Sequence, residues 1–415
     1  MNILHWKRRH GRYCLTVVFV LVLLSIVLYS RGPSWAIKKG QFSVIDTAPL
    51  VPSEISKPRP VAAQIVDVDT LTNLLERRLA QPNEAHQIVY NKPCNPSGKG
   101  LLGCTSDCGN ALPLGAKPLR ARVESLVESP RLRLSSEQRG AILSMSASIP
   151  ETDIIIVSAS SANHYDEMQA MFHGLHTVVY PVMEQQKRNF SVVLFDLGLT
   201  PEQRQMTEAK CRCQVVSFPK NIFPHHVKDN HCYSWKPLII RAVVERAKKY
   251  AVWQDSSIRW TKKFLKIFDN VPVFGHQIVR YTNSSRVTAN TLKAMFDYMQ
   301  EDVCPFFPYP EVQASVQLHN NDPLVVNAIL EPWCRCALEK DCMCPVSPPT
   351  KALPCSKTKT LHRCHRYDQS ALTIVLAKLY ASDMYKVMAP ENNFNKPNIV
   401  SISRGHSMPK YLSSL

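Results

Sequence analysis

"TDIIIVSAS", residues 152–160, is an apolar run rich in β-branched side chains that closes on small polar residues. Runs of this kind read as strands buried on both faces, as in a parallel sheet covered by helices. "FSVVLFDLG" (190–198) has the same character, and "CQVVSF" (213–218) is a shorter version. Between the first two lies the helical pattern "HYDEMQAMFHGLHTVV" (164–179). After the second comes "LTPEQRQMTEAK" (199–210), where Thr200 is a natural N-cap and Pro201 fits the first turn. The next helix is "WKPLIIRAVVERAKKY" (235–250). Its apolar face carries Ile239, Ile240, Val243, Val244 and Ala247, with Arg241, Glu245 and Lys248 turned away. Alternation of this kind predicts an α/β fold, a Rossmann-like and mostly parallel sheet flanked by helices, over residues 151–415. About 260 residues suffice for one large core.

Outward from those strands, the amino-terminal end sets the compartment. Lys7, Arg8, Arg9 and Arg12 precede "CLTVVFVLVLLSIVLY" (14–29), which contains no charge. At about 1.5 Å per residue, 13–30 spans roughly 27 Å as a helix. This reads as a single transmembrane signal anchor, with 1–12 as a cytosolic tail and the bulk of a type II protein in the lumen of the Golgi or endoplasmic reticulum. A cleaved signal peptide is the weaker reading, because the apolar stretch is long and the small-residue site at Ser34 to Ala36 is poor.

Thirteen cysteines follow Cys14, a density that an oxidising lumen converts to disulfides. Thirteen is odd, so at least one thiol is free or pairs between chains. In "CRCALEKDCMC" (334–344) the C-x-C spacing argues against a zinc knuckle. Asn189 and Asn283 head glycosylation sequons. Residues 31–150 are proline-rich and polar apart from the short amphipathic "DTLTNLLERRL" (69–79). They read as a lumenal stem in which Cys94, Cys104 and Cys108 form a cross-linked knot. The net charge of +17 is scattered along the chain, which argues against nucleic acid. Nucleotide diphosphates and acidic glycans suit it better, most of the charges being solvated surface.

In "YAVWQDSSIRW" (250–260) a strand-like run breaks onto Asp255. Ligands of open α/β sheets bind beyond the carboxyl ends of the strands. There Asp255 either coordinates Mn²⁺ or Mg²⁺ bridging to a diphosphate, or takes hydrogen bonds from its own turn, or pairs with Arg259. In "CHRYDQSALTIVLAKLY" (364–380), Asp368 or Ser370 opens a helix. Asp368 is either the N-cap or a carboxylate facing a sugar or acceptor hydroxyl. His406, in "NIVSISRGHS" (398–407), is either a further cation ligand or a surface histidine. His225, His226 and His231 read as loop residues, not ligands.

Taken in order with "VVLFDLGLTPEQ", these places resemble glycosyltransferases of the GT-A fold over about 151–407, in particular retaining galactosyl- and glucosyltransferases of the glycogenin-like kind. "SWKPLII", "VWQDSSIRW", "EPWCRCALEKDCMCP" and "CHRYDQSAL" resemble, more closely, an uncharacterised invertebrate family of type II membrane proteins. The first resemblance implies transfer of a hexose from a nucleotide sugar to a glycan or glycoprotein acceptor. It places Asp255 at the first aspartate of the Asp-Xaa-Asp metal motif and His406 at the late histidine ligand. Ser257 replaces the second aspartate. Asp368 and Gln369 match the Asp-Gln pair beside the sugar, Ser158 and Ala159 lie where the nucleobase binds, and Lys236 either approaches phosphate or is solvated. Two alternatives stand beside it. One is a non-catalytic GT-A-like protein that binds a glycan or partner, with Ser257 marking a lost metal site. The other is a structural, disulfide-rich ectodomain.

Overall fold

The computed structural model describes residues 66–81, 111–269, 271–280, 286–346, 364–389 and 399–415, with the isolated positions Cys108, Cys355 and His362. The expected tail and anchor, Cys94, Cys104 and Asn283 lie outside the described residues. Among the described residues no helix is long and apolar enough to cross a membrane.

Among the described residues nine strands form two sheets: β1 (Thr152–Ser160), β2 (Phe190–Asp196), β3 (Gln214–Ser217), β4 (Ala247–Gln254), β5 (Ile258–Trp260), β6 (His276–Arg280), β7 (Val312–His319), β8 (Met388–Ala389) and β9 (Val400–Ile402). The large sheet has the order β3-β2-β1-β4-β7-β6-β8, and β5 pairs with β9 in the small one. β3, β2, β1 and β4 are mutually parallel, whereas β7 runs antiparallel to both β4 and β6. The fold is therefore mixed α/β around a mostly parallel sheet. The alternation that predicted β1 is visible in its packing. Ile155 and Val157 join one core, and Ile154 and Ile156 join the core on the opposite face with Met168, Met171 and Phe172.

The main helices are α1 (Val68–Leu79), α2 (Leu119–Val127), α3 (Ser136–Ser144), α4 (Tyr165–Gly174), α5 (Pro201–Lys210), α6 (Trp235–Val244), α7 (Glu331–Leu338) and α8 (Tyr367–Tyr380). Thr200 caps α5 as the sequence indicates. Its hydroxyl accepts from the Gln203 amide at 3.2 Å, while the Gln203 side chain accepts from the Thr200 amide at 3.1 Å. α6 departs from its reading as a one-faced helix, since all ten residues are buried, Arg241 included. The sheet covers one side, and α3 and α7 cover the other. The segment ends early as well, because Ala247 already belongs to β4.

The reading of 31–150 as a stem fails for its described part. Leu71 and Leu75 of α1, Leu114, Val123 and Leu126 of α2, and Ile142 of α3 lie in the same core as α6 and α8. Three arginines fasten these helices to the sheet domain. Arg78 pairs with Asp322 at 2.8 Å, Arg122 donates to the Leu379 carbonyl at 3.0 Å, and Arg139 grips both oxygens of Glu331 at 2.7 and 2.8 Å. Cys108 likewise bonds to Cys304 rather than to a stem neighbour. Further disulfides join Cys211 to Cys213, Cys232 to Cys344, Cys336 to Cys342 and Cys355 to Cys364. Three of the four cysteines of 334–344 are thus in disulfides, which leaves no four-thiolate set there for zinc. Cys334 is the one free thiol among the described cysteines, buried with its Sγ donating to the Pro237 carbonyl at 3.3 Å.

Three buried histidines set a pH dependence. His276 and His319 face each other across β6 and β7 with rings stacked at 6.0 Å, and the His276 Nε2 lies 2.6 Å from the Tyr380 hydroxyl. Burial holds His276 well below the ordinary imidazole range, helped by His319 and Arg78. Burial alone pushes His319 down to about 3, and it pushes His365 down to about 4. Each group takes up its proton first in the unfolded chain. Stability is therefore present above about pH 6.5 and is lost as pH falls toward the folded values, at about 1.4 kcal/mol per pH unit for each proton. Thermal melts from pH 7 to 4 should show Tm falling steeply below about 6.5, and His319→Gln should make that slope shallower.

Candidate functional site

The parallel strands end together at one edge of the sheet, and the side chains there converge on Lys236. β4 delivers Asp255 just past its last residue. The Asp255 amide donates to the Ser315 carbonyl of β7 at 2.8 Å, and its carbonyl accepts from Ile258 at 3.0 Å, so the turn is fixed by the sheet on one side and by itself on the other. The side chain serves neither its own turn nor Arg259. Asp255 Oδ1 accepts from the Trp253 indole at 2.9 Å and lies 3.0 Å from Lys236 Nζ. Arg259 donates instead to the carbonyls of Ser256, Ile258 and His406.

Lys236 is the second residue of α6. It is neither solvated nor at the surface, because α6 is enclosed on both sides. Its ammonium bridges Asp255 Oδ1 and, at 2.7 Å, Asp368 Oδ2. Burial by itself would lower this group, but the two carboxylates outweigh it and hold the ammonium above its ordinary value. Asp368 sits one residue inside α8. The cap position is Arg366, and the Ser370 hydroxyl donates to the Asn290 carbonyl at 3.0 Å. The N-cap reading of Asp368 therefore gives way to an inward-facing acid. Burial raises its carboxyl against the opposing pull of Lys236. Next to it, half-buried Gln369 has a side-chain Nε2 with no partner.

Aromatic rings enclose the ammonium, and sequence reading did not include them. The Lys236 Nζ lies 5.5 Å from the ring centres of Tyr233 and Trp253 and 6.0 Å from that of Trp235, within cation–π range. Tyr233 and Tyr367 stand 5.9 Å apart, and both adopt left-handed backbones, φ 52° and 44°. Non-glycine residues pay about 1–3 kcal/mol for that region, a strain that clusters at functional sites. Tyr233 is 40% exposed, so one face of the assembly is open. The available signal was the aromatic spacing in "YSWK" and the tyrosine directly before Asp368.

Ser158 and Ala159 lie at the end of β1, buried, and the Ser158 hydroxyl has no partner. The Ala159 carbonyl accepts from the Ser256 hydroxyl at 3.5 Å, which ties the β1 end to the Asp255 turn. Ser257 is also buried, and its carbonyl accepts from the Ser403 amide at 2.8 Å. His406 does not join the acids. It is exposed, with its amide on the Ser403 carbonyl and its own carbonyl taken by Arg259. A shallow depression of about 480 Å³ opens on the same edge over the ends of β2 and β3, lined by Asp196, Leu197, Gly198, Phe218, Pro219, Lys220 and Asn221.

The expected Mn²⁺ or Mg²⁺ does not fit this donor set. Among the described residues there is no group of three His, Cys, Asp or Glu able to hold a metal ion. Hard divalent ions take about six oxygens, of which the protein commonly supplies one or two free carboxylates and water and phosphate the rest. Here Asp255 and Asp368 share an ammonium, Ser257 supplies at most a hydroxyl, and exposed His406 belongs to no such group. What the arrangement can do is hold polar groups rigidly beside an open aromatic face.

The family described as "Protein of unknown function (DUF1647)" matches residues 83–241, a span that includes β1 to β3 and Lys236 but stops short of Asp255. No curated protein sequence matches the chain. Solved structures similar to it include a galactosyltransferase LgtC in complex with donor and acceptor sugar analogs, at 11% identity over 60% of this chain and 87% of that one, TM-score 0.32. Mouse xyloside xylosyltransferase 1 in its apo form is similar at 12% identity over 61% and 98%, TM-score 0.33. Core-mannan synthase A from Aspergillus fumigatus in its Mn/GDP form is similar at 9% identity over 54% and 69%, TM-score 0.31. Likeness at this level says nothing about substrate, which has to be argued from side chains.

Proposed function

We propose that this protein is a glycosyltransferase that moves a hexose from a nucleoside diphosphate sugar to a glycan or glycoprotein acceptor, on the lumenal side of a Golgi or endoplasmic reticulum membrane. The observation that carries the reading is the convergence of Asp255, Lys236 and Asp368 beneath Tyr233 and Tyr367, at the carboxyl ends of parallel strands. In this reading Asp255 accepts sugar hydroxyls, and the exposure of 29% of its side chain supports that role. Asp368 is the positioning partner, since it faces Lys236 from within the helix. Gln369 offers an unpaired amide donor. Aromatic faces with a few fixed polar groups are the usual make-up of a small-ligand site. Five disulfides among the described cysteines and an exposed Asn189 support the lumenal compartment.

A non-catalytic glycan-binding protein is the second reading, and Ser257 in place of an acid favours it. The full-length protein warmed with a panel of UDP- and GDP-sugars separates the two. The enzyme reading expects one donor to raise Tm, because a ligand at 100 times its Kd stabilises the native state by about 2.7 kcal/mol. Asp255→Asn should abolish that rise. No shift across the panel, together with no release of nucleoside diphosphate, counts against the enzyme.

A further inference from the structure

We infer that this site operates without a divalent cation, its positive charge being supplied by the chain itself: Lys236 between the two acids and Arg404 at the rim. The Arg404 half of the inference rests on the nucleoside diphosphate reading above; the Lys236 half does not.

The Lys236 ammonium stands 3.0 Å from one carboxylate and 2.7 Å from the other, the place from which a divalent ion would draw its oxygens. An ion bridging the two carboxylates at about 2.1 Å from Asp255 Oδ1 and Asp368 Oδ2 would have to displace it. The lysine has nowhere to go. Its side chain is 4% exposed, its helix is buried on every side, and three aromatic rings crowd the ammonium. Two cations cannot share the gap, because like charges at contact repel strongly where water is excluded. The position two residues after Asp255, where a second carboxylate would complete an ion's shell, is the hydroxyl of Ser257.

One ammonium against two acids leaves no surplus positive charge for a diphosphate. Exposed Arg404 lies in the turn after β9, next to Ser403, whose amide donates to the Ser257 carbonyl at 2.8 Å, so the turn that carries it sits against the Asp255 turn. His164 is engaged by Glu167 at 3.4 Å. Lys220, on the same edge, is taken by the Leu197 carbonyl at 2.7 Å and the Asn230 side chain at 3.1 Å, which leaves Arg404 among the described residues as an exposed cation beside this turn, and a guanidinium matches phosphate oxygens in pairs.

The test uses the full-length protein. Manganese titration followed by electron paramagnetic resonance should show no stoichiometric uptake into the millimolar range; a one-to-one site lost in Asp255→Asn would overturn the inference. Calorimetry with UDP should give the same affinity in EDTA and in manganese, and a requirement for manganese overturns it equally. Arg404→Gln should weaken UDP by roughly ten-fold or more while leaving uridine unchanged; equal loss for both ligands removes Arg404 from the assignment. If UDP binds in neither condition, the transferase reading fails, and the manganese titration alone still decides whether the acids hold a metal.

Discussion

A chain cut at residue 151, where the alternating pattern begins, is expected to lose cooperative unfolding, whereas one starting at Pro60 should keep it. The cut removes α1, α2 and α3. Six of the side chains lost with the segment, Leu71, Leu75, Leu114, Val123, Leu126 and Leu132, are at most 2% exposed. At about 1.5–3 kcal/mol for each buried apolar side chain they represent roughly 9–18 kcal/mol of gross burial, comparable with a typical net stability of about 5–15 kcal/mol. Deletion also removes the ordering entropy of the segment itself, so the gross figure is not the net loss. The apolar surface left behind has no such offset. α8 is buried along its length, Leu379 and Tyr380 at 0%, and would face water where α2 now packs. Asp322 and Glu331 would also lose Arg78 and Arg139, and breaking one partner from a buried pair costs about 3–5 kcal/mol. Urea titration followed by tryptophan fluorescence decides the matter. A sharp transition in the shorter chain, at the midpoint of the longer one, would show that the amino-terminal helices are ornaments on an independent domain.

That boundary also marks what the sequence could and could not reveal. β1, β2 and the end of β4 were legible because strands buried on both faces must be continuous apolar runs, β3 was legible as a shorter apolar run although it lies partly exposed at the sheet edge, and α5 was legible because its cap is purely local chemistry. The position of Asp255 past a strand end followed from the same runs. The burial of Lys236 was not legible. It depends on α3 and α7 covering α6, and α3 comes from a segment whose short apolar groups, such as Ile142 and Met145, do not announce a core. His406 failed for a related reason: a histidine after a short strand says nothing about which way the turn carries it. Tyr233 and Tyr367 escaped notice because their left-handed backbones are imposed by tertiary packing and leave no mark in composition.

Lys236→Met should destabilise the protein by about 3–5 kcal/mol, since it leaves Asp368 buried without its countercharge. The contribution of Asp255 to that loss is smaller, because 29% of its side chain is exposed and water can replace the ammonium. The sign of the effect is tested by adding Asp368→Asn to the same chain. An amide carries no charge to leave stranded, so the double variant is expected to be more stable than Lys236→Met alone. The coupling should fall within the 0.5–3 kcal/mol seen for residues in contact. Urea midpoints of the wild type, both single variants and the double variant give that coupling directly. Recovery of stability should not bring back recognition. The double variant ought to fold and still show no thermal response to any nucleoside diphosphate sugar, because the group that orients Asp255 is gone. A Lys236→Met chain as stable as the wild type would mean that Asp368 is already protonated in the native state, and that the three side chains form a neutral hydrogen-bonded cluster with Asp255 as its one charged acid.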